Sequence, residues 1–315
     1  MSARKAAVLA IALCVALMAL FSSSASAAPA PAWTLTVTPM PSSFAPGKEA
    51  ELLVLATNVG AAPTTNEPVQ IETTVPPGLA ITNVSTFART PGASSFPECT
   101  TLGQVVSCEN IATVQPSRWL EVVIKVKVEA PEGVLQTKAS ISGGGAAQGV
   151  STAFPISIQA APLEFDFLPN FGAPLTNEDG SPAQLAGSHP NQQTVYFGFP
   201  TENPGDGITN AGHPRDLYVE LPRGMVGSPA ATQDLCSEAE LTSIDNPGCP
   251  DASQVGISDV TSLLGEVGHT IVIGSNLYNM VPPPGYAAEL ATDVANVGLF
   301  VHFLIGVRSD DDYGV

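Results

Sequence analysis

Few residues in this chain are spaced for chemistry. Its four histidines, His189, His213, His269 and His302, are scattered, and none belongs to an H-E-x-x-H pair that could hold zinc. Ser151, in Gly149-Val150-Ser151-Thr152-Ala153, comes nearest to the G-x-S-x-G elbow that exposes a nucleophile. Alanine stands for the second glycine, and no histidine is near in sequence. Neither phosphate-cradling pattern, G-x-x-x-x-G-K-[ST] nor G-x-G-x-x-G, occurs. A glycosidase needs two carboxylates converging on one bond. Glu164 and Asp166 share one face of an extended run, whereas Glu238 and Glu240 sit two apart on a helical run and diverge. Both pairs read as solvated surface charges. His302 lies mid-strand with Phe300 and Leu304 and reads as a packed histidine bonded to a neighbour. Trp33 and Trp119 each begin an apolar strand face, which favours core packing. At 6% aromatic residues the chain offers little for a sugar-stacking platform.

Oxygen donors crowd three turns: Asn177-Glu178-Asp179-Gly180, Glu202 to Gly207, and Asp310-Asp311-Asp312-Tyr313-Gly314. Calcium takes such ligands, commonly as D-x-D before a glycine, and Asp310 with Asp312 has that spacing. These two are the candidate ligands of a weak calcium site. No twelve-residue EF-hand loop completes it, and solvated turns are the simpler reading. No other cofactor and no catalytic residue is expected.

The segment that precedes these elements reads as a secretory leader. Arg4 and Lys5 open it, Ala6 to Phe21 are apolar, and Ala25-Ser26-Ala27 forms an A-x-A cleavage pattern, so cleavage is expected before Ala28. The apolar run is shorter than the ~18 residues of a membrane span. Leu13 stands before Cys14 where lipidation needs a small residue. No second span is expected: Val294 to Val307 is too short and carries His302. Beyond the leader the chain has 9 basic against 29 acidic residues. That balance opposes nucleic-acid and anionic-membrane binding. With 44% hydrophobic and only 13% charged residues, the composition is that of a folded chain, and its 29 prolines and 28 glycines suit many short strands. Four cysteines follow the leader: Cys99, Cys108, Cys236 and Cys249. An even count in an exported chain points to disulfides, and of three pairings, Cys99–Cys108 with Cys236–Cys249 keeps each bridge inside one unit.

Period-two alternation dominates the rest. In Leu120 to Glu129 one face carries Leu120, Val122, Ile124, Val126 and Val128; the other carries Glu121, Val123, Lys125, Lys127 and Glu129. That pattern predicts a strand with one buried face. Trp33 to Thr38 and Val69 to Val75 alternate likewise, and Glu51 to Ala56, apolar on both faces, reads as a central strand. A second unit has candidate strands at 163–168, 194–199, 217–221, 257–264, 270–278 and 297–307, with a short helix at 237–243 opened by a Ser237/Glu240 capping box. The strand, proline-glycine turn and re-entering apolar residue at Ala50 to Leu79 recur at Thr194 to Met225, which points to tandem, divergent units. The expected fold class is all-β: tandem immunoglobulin-like β-sandwiches with one short helix in the second unit. The expected divisions are a leader at 1–27, a first domain at 28–148, a linker strand at 149–162 and a second sandwich-like domain at 163–315. The apolar run Val297 to Val307 leads into a hairpin-type turn, Arg308 to Asp312, with only Tyr313-Gly314-Val315 after it. This suggests that a returning strand lies beyond the given sequence.

The stretch from Ala32 to Gly145 resembles the conserved repeat domain, of unknown function, found in tandem in bacterial cell-surface proteins. The matching residues are Pro46-Gly47, Thr57-Asn58-Val59-Gly60, Val75-Pro76-Pro77-Gly78-Leu79, the Cys99/Cys108 pair and Ile124-Lys125-Val126-Lys127-Val128. Thr137-Lys138-Ala139 stands where that domain usually has asparagine. The second unit resembles uncharacterised secreted bacterial proteins through Leu217 to Gly224, Cys249 to Gly256 and Leu277 to Pro282. The resemblance implies an immunoglobulin-like fold and an envelope or extracellular setting, and no activity. The expectation is a non-enzymatic structural or interaction module, secreted or in the cell envelope, with an extracellular or cell-surface partner. A polysaccharide-binding accessory region of an extracellular enzyme is the alternative, to be favoured by an exposed strip of aromatic rings.

Overall fold

The computed structural model describes residues 28–88, 97–169, 171–185, 187–203, 207–221, 224–225, 227–228, 230, 232–243, 248–264, 269–294 and 298–308. The leader, Asp310 and Asp312 lie outside the described residues. The first unit comprises β1 (Trp33–Met40), β2 (Ser43–Phe44), β3 (Glu49–Asn58), β4 (Val69–Thr74), β5 (Leu79–Ala88), β6 (Glu98–Leu102), β7 (Val105–Asn110), β8 (Trp119–Val128), β9 (Gly133–Gly143) and β10 (Val150–Ile158). They form two sheets, β1-β3-β8-β5 and β2-β10-β9-β4-β7-β6. Alternate residues of each sheet meet in one core: Leu52, Val54, Val122 and Ile124 from one side, Ile71, Ile141 and Ile156 from the other. Two sheets sharing a core in this way make a β-sandwich.

The motifs that mark this unit are structural. Asn58 is fully buried, and its side chain uses all its hydrogen-bonding capacity. Oδ1 accepts from the amides of Ala32 (3.2 Å) and Gly60 (3.1 Å), while Nδ2 donates to the carbonyls of Ala62 (2.9 Å) and Val114 (3.0 Å). One side chain thus ties the end of β3 to the chain entry and to the loop before β8. After β4, the Gly78 carbonyl accepts from the amides of Glu129 and Ala130, and Leu79 returns to the core. Gln104 Nε2 donates to the carbonyls of Val75, Pro76 and Leu79, closing the turn from the β6–β7 hairpin.

Two expectations need correction. Val150 to Ile158, read as a linker strand between units, pairs with β9 along its whole length and with β2 at its end. Its apolar Ile156 and Ile158 fill the first core. A strand with its own sheet partners reads in sequence like any extended connector. In β8, Glu121 and Val123 are also buried, so the second face is not free. Met40, Leu53, Trp119 and Val123 form an outer cluster with Leu55 and Phe87, and Ile208 of the second unit packs onto it. Buried Glu51 meets Lys125, its cross-strand neighbour, at 3.2 Å. A carboxylate at this depth requires such a partner.

The second unit contains β11 (Leu175–Thr176), β12 (Gln192–Gln193), β13 (Thr201–Glu202), β14 (Thr209–Asn210), helix α1 (Glu238–Leu241), β15 (Gln254–Leu264), β16 (His269–Asn279), β17 (Ala288–Val294) and β18 (Leu299–Ile305). The last four form an antiparallel sheet in the order β15-β16-β17-β18; β11–β12 and β13–β14 are short ladders. The chain is therefore nearly all β with one short helix among the described residues, as expected. The capping box is present: Ser237 Oγ accepts from the Glu240 amide, and Glu240 Oε2 accepts from the Ser237 amide at 2.8 Å. β17 escaped the sequence reading because Ala288-Glu289-Leu290-Ala291-Thr292-Asp293-Val294 has no apolar–polar alternation. The stretches 163–168, 194–199 and 217–221, expected as strands, run without a continuous ladder. Pro162, Pro169 and Pro200 bound the first two and supply no amide.

The units are joined along two lines. The Glu178 carbonyl accepts from the amides of Ala61 (2.9 Å) and Ala30 (3.3 Å). The Thr201 amide donates to Ser42 Oγ (2.9 Å), and the Ser42 amide donates to the Thr201 carbonyl (3.1 Å). Gly180, at φ +77°, lies where a Cβ would come within 2.0 Å of the Ala32 Cβ. Both its backbone conformation and this close approach require glycine.

Candidate interaction surface

The segments 165–172 and 196–199 bring five phenylalanines together. They are held by three backbone hydrogen bonds: Leu168 amide to Gly198 carbonyl (2.8 Å), Gly172 amide to Tyr196 carbonyl (3.0 Å) and Tyr196 amide to Gly172 carbonyl (2.9 Å). The first segment bends at Phe165 and Asp166, and Phe165, Phe167 and Phe197 all converge on Phe199. Leu168 is buried. The ring centroids of Phe167 lie 5.2 Å from Phe199, 5.9 Å from Phe171 and 6.3 Å from Phe197. Phe165 stacks on Phe199 at 5.3 Å. Phe165 also lies flat against the Gly212 backbone, where a Cβ would sit 2.6 Å from its ring.

This knot is not sealed from water. Phe165, Phe167, Phe171 and Phe197 keep 43%, 44%, 49% and 39% of their surface exposed. Taking about 200 Å² for an aromatic side chain, these four rings leave roughly 350 Å² of apolar surface in solvent. A patch of this size matches the largest that a typical soluble monomer carries, and such patches are often functional. Only Phe165 and Phe199 are near parallel, at 18°; the other contacts incline by 35° to 81°. The rings therefore present edges and notches, not a flat strip. Glu164 and Asp166 alternate with Phe165 and Phe167 and are exposed. The carboxylate pair considered for acid–base chemistry thus adjoins the knot in sequence, and Asp166 Oδ1 accepts from the Phe167 amide at 2.7 Å.

The remaining candidates take other roles. Both expected disulfides are formed, with Cα–Cα distances of 4.0 Å for Cys99–Cys108 and 5.2 Å for Cys236–Cys249. The first staples directly paired residues of β6 and β7. The second buries Cys236 with Leu241, Met280 and Ala291 against the β16–β18 sheet. His302 Nδ1 is 2.8 Å from Glu289 Oε1, and its Nε2 is 4.0 Å from Glu238 Oε2. Glu238 and Glu240 diverge: the former faces His302, the latter caps its helix. The Ser237 hydroxyl and then the Ser237 amide hold the Glu240 carboxyl below its ordinary range. Ser151 is exposed beside Glu72, Thr74, Lys138 and Ser140 in a shallow, open depression on the outer face of β4, β9 and β10. Trp33 and Trp119 are buried.

The turn Asn177 to Gly180 closes on itself. Asp179 Oδ1 accepts from the Ser181 hydroxyl (2.6 Å) and amide (2.9 Å), which lower its pKa in that order. The adjacent Glu178 carbonyl serves the inter-unit joint, so the crowding of polar residues there is accounted for by turn and joint. No group of three or more histidine, cysteine, aspartate or glutamate side chains converges on a metal site among the described residues. Among the same residues, no helix is long and apolar enough to cross a membrane.

No family model and no characterised sequence matches the chain. Of solved structures, it is similar to domains D2 and D3 of the major pilin SpaD from Corynebacterium diphtheriae, with 12% identity, a TM-score of 0.32, 38% of this chain covered and 49% of that one. It is also similar to the collagen-binding domain of a Staphylococcus aureus adhesin, at 8% identity and a TM-score of 0.27, covering 42% of this chain and 99% of that one. A third likeness is to the CARDB domain of the PF1109 protein from Pyrococcus furiosus, at 12% identity and 0.26, with 41% and 90% covered. The chain spans about half the length of the SpaD two-domain structure. Scores this low say nothing of what this chain does. Its own register defines the class: a disulfide-stapled, nearly all-β protein of two joined units.

Proposed function

We propose that this chain is exported, loses its leader before Ala28, and works outside the cytoplasm as a non-enzymatic contact module. The first sandwich acts as its rigid base and the second unit carries its binding surface. The half-exposed phenylalanine knot is the observation that carries this reading. Apolar surface of that size is kept in water at a free-energy cost, which a partner offsets by covering it. Support comes from the A-x-A leader pattern, the two disulfides and the double joint that fixes the knot relative to the sandwich.

Exposed aromatics also suit the alternative, a polysaccharide-binding accessory region. Sugar rings stack on broad flat faces, however, and the inclined rings here suit aliphatic and aromatic side chains better. The test is to purify the protein from cells that make it naturally, sequence its N-terminus and label intact cells with antibody. A mature end at Ala28 and labelling of unbroken cells, or recovery from the medium, support the reading. A full-length product with reduced cysteines inside the cell would overturn it.

A further inference from the structure

Charge is divided unequally between the units, and this identifies the kind of partner the knot takes. Residues 28–148 carry six basic and nine acidic side chains, whereas residues 163–315 carry three basic and twenty acidic ones. From Leu163 to Leu221 Arg215 is the one arginine or lysine in the sequence, 3.5 Å from Asp216, and Arg308 reaches the end of this stretch at Glu220 and the Leu221 carbonyl, both at 3.3 Å. Glu164 and Asp166 are exposed and next to Phe165 and Phe167 in sequence.

We propose that the knot docks a cationic, apolar polypeptide segment, one in which lysine or arginine alternates with aliphatic or aromatic residues. This deepens the contact-module reading and rests on it. Each requirement comes from a separate feature of the surface. The notches between inclined rings take apolar side chains. The ring faces attract a cation within about 6 Å, and the flanking carboxylates complete its pairing. The field of an acidic unit raises the encounter rate with a basic partner. The same field opposes a second copy of this chain, since two such acidic surfaces repel when brought together. A neutral sugar draws nothing from the carboxylates.

The experiment uses the chain from Ala28 to Val315 and three labelled synthetic peptides, followed by fluorescence anisotropy at low and high salt. One peptide alternates lysine and leucine, one alternates glutamate and leucine, and one is oligolysine. The lysine–leucine peptide is expected to bind at least about tenfold more tightly than either other, since it alone supplies both the apolar and the cationic contacts. High salt should weaken it. Phe167→Ala should lose about tenfold in affinity. Because that change touches packing, the paired exposed substitutions Glu164→Gln and Asp166→Asn provide an independent check: they should weaken binding several-fold and reduce its salt dependence without moving the melting temperature.

Equal affinity for the lysine–leucine and glutamate–leucine peptides would overturn the proposal. So would oligolysine matching the lysine–leucine peptide, or parent-like binding by both variants. If no peptide binds while the mature chain is still found outside the cell, the cationic partner falls and the contact-module reading stands. Cytoplasmic retention with peptide binding intact would do the reverse.

Discussion

The two units handle apolar surface in opposite ways. The first closes two sheets on a common core and has a second layer on the outer face of β8, where even Glu121 is 1% exposed. The second gathers five phenylalanines from short extended segments and leaves four of them about two-fifths exposed. The first unit is also close to charge balance, whereas the second is strongly acidic. Like-charge repulsion costs stability, and it is tolerable in a unit anchored to a well-packed neighbour. The contrast separates the part that holds the fold from the part that meets a partner.

The largest effect expected from breaking that contrast lies in the first core. Ile124→Ala should cost about 2–5 kcal/mol in chemical unfolding, the range for a fully buried aliphatic truncation. Phe167→Ala, although it removes more atoms, should cost only about 1 kcal/mol because nearly half its ring is already in water. Equal losses would erase the distinction. Next comes Asn58→Ala, which removes four hydrogen bonds and strands the buried Gly60 amide, while the Val114 carbonyl keeps the Thr64 amide. At about 1–3 kcal/mol for an unsatisfied buried group, a loss in that range should appear in the same assay. Gly180→Ala should cost over about 1 kcal/mol through its backbone conformation, and more because its Cβ would meet that of Ala32. It should also loosen the joint, seen as faster proteolysis between 160 and 211 with the first sandwich intact.

The smallest effect concerns pH. Burial raises the Asp293 carboxyl above its ordinary range, and the Gly298 amide offsets this in part. Its folded pKa exceeds the unfolded one, so the stability linked to it is present below the unfolded value and is lost as pH rises through the folded one. Asp293→Asn should therefore raise the melting temperature slightly at neutral pH and leave it unchanged in acid. Asp179 and Glu240, both lowered by hydrogen bonds from Ser181 and Ser237, act in the opposite sense. Their contribution is present above the unfolded pKa and fades as pH falls through the folded one.

Features set by neighbours in sequence were legible before the fold. Alternation in Trp33 to Thr38 and Leu120 to Glu129 located β1 and β8, spacing paired the cysteines within units, and Ser237 with Glu240 marked the helix start. Features that need distant residues were not. Phe165 and Phe167 read as one strand and Phe197 and Phe199 as another, because period two does not say whether a facing sheet or another phenylalanine fills the space. The signal available was Glu-Phe-Asp-Phe, one leucine away from Pro162 and Pro169, followed some thirty residues on by Phe-Gly-Phe directly before Pro200. The turn at Asn177 to Gly180 suggested calcium by its oxygens. Its role in the joint depends on a backbone carbonyl, which any residue supplies and no motif records. The covered second face of β8 was illegible for a similar reason, since Ile208 reaches it from another unit.

Native-state hydrogen exchange, resolved along the chain by mass spectrometry, tests the division between the units most directly. Amides of β3, β8 and β9 should exchange only through global unfolding. Amides of 163–169, 171–172, 194–199 and 217–221 should exchange orders of magnitude faster, except at Leu168, Gly172, Thr194 and Tyr196, whose backbone hydrogen bonds hold the segments. Uniform protection across both units would contradict it, because the phenylalanine knot would then belong to a closed core and not to an open contact surface.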